Sequence, residues 1–121
     1  MTTTARVLVS GEWTVLAIVR GDRVPALEHL YSLAKRERDK VFSFLERTAR
    51  LGPLGYTDER SKKLTNDIFE LKPTSEVRLP YFFDGRNRFV ITHGFTKKRG
   101  RTPPAEIRRA VWLRNEYLEQ R

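Results

Sequence analysis

Apolar residues recur along this chain with two different periods, and the order in which those periods follow one another leaves few folds open. Trp13 to Val19 is an apolar, β-branched run that reads as a strand, preceded by the weakly alternating Arg6 to Ser10 and a Gly11-Glu12 turn. From Pro25 the spacing changes. Pro25 suits a first helical position, and Leu27, Leu30, Tyr31 and Ala34 recur at i, i+3, i+4 and i+7, which marks one buried helical face. Val41, Phe42, Leu45, Thr48 and Ala49 repeat that spacing opposite Arg38, Lys40, Glu46, Arg47 and Arg50, until Gly52-Pro53 stops the helix. Together the two segments predict a helical hairpin.

Strand signals return at Ile68 to Lys72, Val77 to Phe83 and Arg88 to Phe95, separated by Pro73-Thr74-Ser75 and by Asp84-Gly85-Arg86-Asn87. The polar residues 53–66 between helix and strands read as an exposed connection. Pro80 has no N–H for a ladder, which pushes its strand toward a bulge or an edge. Thr102-Pro103-Pro104 predicts a helix start with Thr102 as N-cap, and Ile107, Ala110, Val111, Arg114, Tyr117 and Leu118 line the helix that follows. The order β-β-α-α-β-β-β-α predicts an α+β fold, an antiparallel sheet with an N-terminal helical hairpin and a C-terminal helix.

A chain of 121 residues buries roughly two-thirds of its unfolded surface, enough for one core, so residues 1–121 read as a single domain. Its 13 aromatics argue against disorder. No apolar run approaches a membrane span and the first residues lack an apolar signal core, so the expected location is cytoplasmic, with no membrane partner. Cys is absent, which removes disulfides and thiol nucleophiles. Two histidines with no carboxylate pair at ligand spacing, no Gly-rich phosphate loop and no nucleophile elbow give no reason to expect a metal or other cofactor.

The formal charge of +9 is unevenly placed: three cations meet three anions in residues 1–34, ten meet seven in 35–72, and eleven meet five in 73–121. Six cations and no carboxylate lie between Arg86 and Arg101, a concentration that attracts a polyanion. Cleavage of RNA without a metal needs a base for the 2′-hydroxyl proton, cations for the phosphate and an acid for the leaving oxygen, and Lys, Arg, His and Glu fill all three roles. His93 ends an apolar run beside the densest positive charge and reads as a candidate base or acid, whereas His29, between Leu27 and Leu30, reads as structural. Alternation puts Glu70 and Lys72 on one strand face and Arg78 on the face opposite Val77, Leu79 and Tyr81, so these groups can converge on one cleft. A salt bridge to a neighbouring cation is the competing role for Glu70.

Phe69-Glu70-Leu71-Lys72, Val77-Arg78-Leu79-Pro80-Tyr81-Phe82-Phe83, Ile91-Thr92-His93-Gly94-Phe95-Thr96-Lys97-Lys98 and Thr102-Pro103-Pro104-Ala105-Glu106-Ile107 with Ala110 resemble, in order, the C-terminal half of RelE/HigB-type toxins. The phage-derived HigB-like branch is the best match. Trp13 to Val19 and Pro25 to Leu30 are similar to its first strand and helix, so the resemblance spans about residues 12 to 120. It implies a RelE-like domain acting as the toxin of a type II toxin–antitoxin system. Such a toxin is an mRNA endoribonuclease, usually ribosome-dependent, and is held inactive by a helix-turn-helix antitoxin. By the same resemblance Lys62 and Lys63 match basic positions ahead of the central strands, Arg78 the arginine that grips the scissile phosphate, and Lys98 and Arg99 the basic pair after the last strand.

The expected catalytic set is therefore Lys63, Arg78, His93 and Lys98, with Lys62, Lys72, Lys97, Arg99 and Arg101 binding RNA. The C-terminal tyrosine that stacks on the base in some members of that family has no clear counterpart here, and Tyr81 or Phe95 is the available substitute. Two other readings compete. One is a ParE-like poison of DNA gyrase on the same fold, which needs no catalytic residues; the other is a non-catalytic basic nucleic-acid-binding protein. Convergence of Lys63, Arg78, His93 and Lys98 on one cleft would favour the nuclease, and scattering of them the gyrase poison.

Overall fold

The computed structural model describes residues 1–121. Strands β1 (Thr3–Ser10) and β2 (Thr14–Arg20) form a hairpin, and α1 (Pro25–Ser32) and α2 (Lys35–Leu51) follow. Next come β3 (Ser61–Lys63), β4 (Phe69–Leu71), β5 (Val77–Phe83), β6 (Arg88–Ile91) and β7 (Phe95–Thr96), before α3 (Pro104–Gln120). All seven strands join one sheet in the order β1-β2-β6-β5-β4-β3, with β7 beside β5. No helix is long and apolar enough to cross a membrane.

Strand alternation divides the apolar residues between two faces of this sheet. Val15, Ala17, Leu71, Val77, Leu79, Tyr81, Phe89 and Ile91 pack against Ala26 and Leu30 of α1 and Val41, Phe44, Leu45 and Ala49 of α2. Leu16, Ile18, Ile68, Phe82 and Val90 turn the other way and pack against Ala110, Leu113 and Tyr117 of α3. The result is three layers, the helix pair, the sheet and α3.

Several sequence expectations need correction. The helix pair does not stand at the N-terminus, which consists of strands, but follows β2. The sheet is mixed rather than antiparallel, because β2 and β6 run parallel with Val15 opposite Phe89 and Leu16 opposite Val90. Their link is a long crossover through two helices and three strands, and parallel neighbours require a crossover where antiparallel ones need only a tight turn. Ser61–Lys63, inside the supposed connection, is a strand; its three residues carry no apolar alternation and are extended because they pair with β4. Thr102 does not cap α3, whose N-cap is Pro103 and whose first turn starts at Pro104. Tyr31, Ala34 and Val111 are exposed, and Leu113 rather than Val111 faces the core.

Pro80 has a definite structural consequence. It lies in a central strand, opposite Glu70 on one side, and its carbonyl accepts the Thr92 N–H at 2.8 Å on the other. The register runs from Tyr81 opposite Ile91 to Arg78 opposite Phe95, so three residues, 92–94, face only two, 79 and 80. The missing proline N–H thus coincides with a one-residue bulge that separates β6 from β7 and reverses which face each following side chain takes. Gly94 sits in that bulge: a Cβ there would meet His29 Cβ at 3.1 Å and Leu79 Cδ2 at 3.2 Å.

Candidate functional site

The β3-β4-β5 register lines up Lys62, Glu70 and Pro80 across the sheet, on the face that α3 only partly covers. There a cleft of about 480 Å³ opens between the edge of the sheet and the start of α3. Five cations line it, Lys62, Lys63, Lys72, Lys97 and Arg101, together with Leu64, Gly100, Thr102 and Ile107. One carboxylate, Glu70, is at its floor.

Glu70 is only 1% exposed and Oε1 accepts a hydrogen bond from the buried Thr102 hydroxyl at 2.6 Å. No cation lies within 4 Å of it, so the salt-bridge role considered for Glu70 is not found. Thr102 does not act as the helix cap its local sequence predicts; its partner lies 32 residues away, a contact that no local spacing announces. Lys72 donates from Nζ to the Asp58 carbonyl at 2.8 Å. Burial lowers its pKa below that of an ordinary lysine; the charges of Arg78, Lys62 and Lys97 act in the same direction, against the attraction of Glu70. Such a lysine gives up its proton more readily than a solvated one.

Of the expected catalytic set only Lys63 lines this cleft. Arg78 is 9% exposed, and its guanidinium donates to the carbonyls of Thr74, Val77 and Ser75 at 2.9, 2.9 and 3.1 Å, so it braces the turn before β5. His93 is fully buried, which pushes its pKa down to about 3 with help from Arg109 and His29 and leaves it neutral at pH 7. The bulge turns its ring toward α3, where Nε2 is 3.1 Å from Glu106 while Nδ1 is 2.9 Å from the Thr92 hydroxyl. Lys98 and Arg99 are exposed on the loop ahead of α3 and do not line the cleft. Among the expected RNA-binding residues Lys62, Lys72, Lys97 and Arg101 do line it, and Arg99 does not.

The proposed substitutes for a stacking tyrosine are both occupied. Tyr81 is 1% exposed against Phe69, Phe83 and Phe89 on the helix-pair face, and its hydroxyl meets Ser61 Oγ at 2.6 Å. Phe95 stacks on His93 with ring centres 5.7 Å apart. No three His, Asp or Glu side chains come together as a metal site.

The arrangement can hold a phosphate among five cations, one of them a lysine of lowered pKa, above a buried carboxylate. No curated protein matches the chain. The family described as phage-derived protein Gp49-like (DUF891), which is associated with toxin–antitoxin toxins, matches residues 28–114, from α1 into α3 and across every residue of the cleft, and the chain belongs to that family.

Proposed function

We propose that the protein is the toxin of a type II toxin–antitoxin system, of the RelE/HigB type and its HigB-like branch, and that it cleaves mRNA without a metal, on the ribosome. The observation that carries this reading is the carboxylate at the floor of a cleft otherwise lined by cations. Glu70 takes the proton of a ribose 2′-hydroxyl, and the 2′-oxygen attacks the adjacent phosphorus. The bond from phosphorus to the 5′-oxygen breaks, and Lys72 delivers a proton to that oxygen. A 2′,3′-cyclic phosphate and a 5′-hydroxyl remain. Lys62, Lys63, Lys97 and Arg101 hold the phosphate as its negative charge grows. A helix-turn-helix antitoxin silences the toxin by covering the cleft, so the pair co-purifies and does not cut RNA.

Glu70→Gln keeps an oxygen for the Thr102 hydroxyl, so it leaves the fold and RNA binding intact while removing the base. Primer-extension mapping of mRNA after induced expression should show cutting reduced about 10²–10⁴-fold. Undiminished cutting by folded Glu70→Gln protein would remove Glu70 from the chemistry.

One observation favours a second reading. Arg78, His93 and Lys98 do not converge with Lys63, and a gyrase poison needs no such convergence. If induced wild-type protein leaves mRNA intact but inhibits gyrase-dependent supercoiling, that reading replaces the nuclease.

A further inference from the structure

Outside the cleft, two hollows of about 540 and 470 Å³ lie side by side along the outer surface of α2 and share Lys40, Arg60 and Pro73. Arg36 and Lys40, one turn apart on α2, and Arg47, two turns further on, line them, with Arg60 on the facing loop. Their two carboxylates are already engaged: Glu37 accepts the Thr74 hydroxyl at 3.1 Å, and Asp39 pairs with Lys35 at 2.7 Å. Arg36, Lys40 and Arg47 make no hydrogen bond or ion pair within the protein, although unpaired neighbouring cations repel one another.

Arg60 joins this trough to the cleft. Its guanidinium donates to the carbonyls of Lys72 and Pro73 at 3.3 and 3.2 Å, and its own carbonyl accepts the Lys72 N–H at 2.9 Å. The Lys72 side chain lines the cleft, with its amine on the Asp58 carbonyl. The two cationic surfaces are thus separated by a single residue pair at the end of the sheet, on either side of the turn that leads into β3.

We infer that the α2 trough holds the phosphate backbone of the same RNA strand whose scissile phosphate occupies the cleft, the strand passing over Arg60 at the sheet edge. The inference rests on the nuclease reading for the strand's identity. Arg36, Lys40 and Arg47 bind flanking nucleotides and take no part in the bond-breaking step. Long RNA is held more tightly than short RNA, and the gain is sensitive to salt because each neutralised phosphate releases counterion.

The test compares binding of an oligoribonucleotide of about four nucleotides with one of about sixteen, the range a single-strand groove accommodates. It uses wild-type protein and an Arg36→Gln/Lys40→Gln/Arg47→Gln variant over a series of salt concentrations. Wild-type protein should bind the long RNA at least tenfold more tightly than the short one. In the variant that gain should disappear, the salt slope for long RNA should fall by about 2, at roughly 0.7 per lost phosphate contact, and short-RNA binding should be unchanged. Equal affinity of the wild-type protein for both lengths would overturn the inference, as would a variant that keeps the gain; either result is what a trough serving an acidic protein would give. Cleavage is scored separately: length-dependent binding without cutting would sink the nuclease reading and leave the strand path standing.

Discussion

His93 makes stability depend on pH in one direction. Folded, its pKa is about 3; unfolded, it returns to the ordinary 6.5, so between these values the unfolded chain binds a proton that the folded chain refuses. Its contribution is intact above pH 6.5 and is lost progressively as the pH falls toward 3, by up to about 1.4 kcal/mol per unit. His29, lowered chiefly by burial, acts in the same direction. Chemical denaturation at pH 7, 6 and 5 should therefore give a shallower decline in His93→Gln than in wild type, and equal slopes would show that His93 is not held neutral. If the proposed nuclease reading holds, the same burial predicts that primer-extension mapping finds mRNA cutting retained in His93→Gln protein. At Gly94 the neighbouring ring and leucine must give way to any Cβ, so Gly94→Ala should cost about 1–3 kcal/mol, read as a lower denaturation midpoint.

At the scale of elements, α3 is tied to the sheet at both ends by buried polar contacts. Its start is held by the Thr102 hydroxyl on Glu70, and its end by the Tyr117 hydroxyl on Asp84 Oδ2 at 2.6 Å and by the Arg121–Asp84 pair. Thr102→Val leaves a buried carboxylate oxygen without its donor and should destabilise by about 1–3 kcal/mol, whereas Thr102→Ser keeps the donor and most of the stability. If Thr102→Val unfolds at the wild-type denaturant concentration, the hydrogen bond to Glu70 does not hold the start of α3. Because Lys97 and Arg101 lie on the loop that Thr102 anchors, the proposed RNA-binding role predicts weaker binding of an oligoribonucleotide by Thr102→Val.

For the molecule as a whole, one sheet supplies a face to both cores, so neither core keeps its shape when the other melts. Trp13 packs on the helix-pair side and Trp112 lies under the Arg20 guanidinium on α3, which gives each side its own fluorescent reporter. Variants retaining only one of the two tryptophans should lose fluorescence at the same denaturant midpoint, coincident with loss of circular dichroism. Separate midpoints would mean that the α3 layer unfolds on its own.

Element types were legible because apolar spacing is a local property: the period of Leu27, Leu30 and Val41, Leu45, Ala49 dictates helices, and the alternation of Leu16 and Ile18 with Val15 and Ala17 dictates a strand buried on both faces. Charge was legible for the same reason, and Lys62, Lys63, Lys72, Lys97 and Arg101 do share a cleft. What a side chain meets across the sheet is set by register, which depends on residues far away in sequence. The parallel pairing of β2 with β6, the strand formed by Ser61–Lys63 and the bond from Thr102 to Glu70 all arose at that level. Arg78 and His93 show the reason most clearly: both lie in or beside strands as their sequence implied, but the turn before β5 captures the guanidinium, and a bulge opposite a proline turns the imidazole toward Glu106.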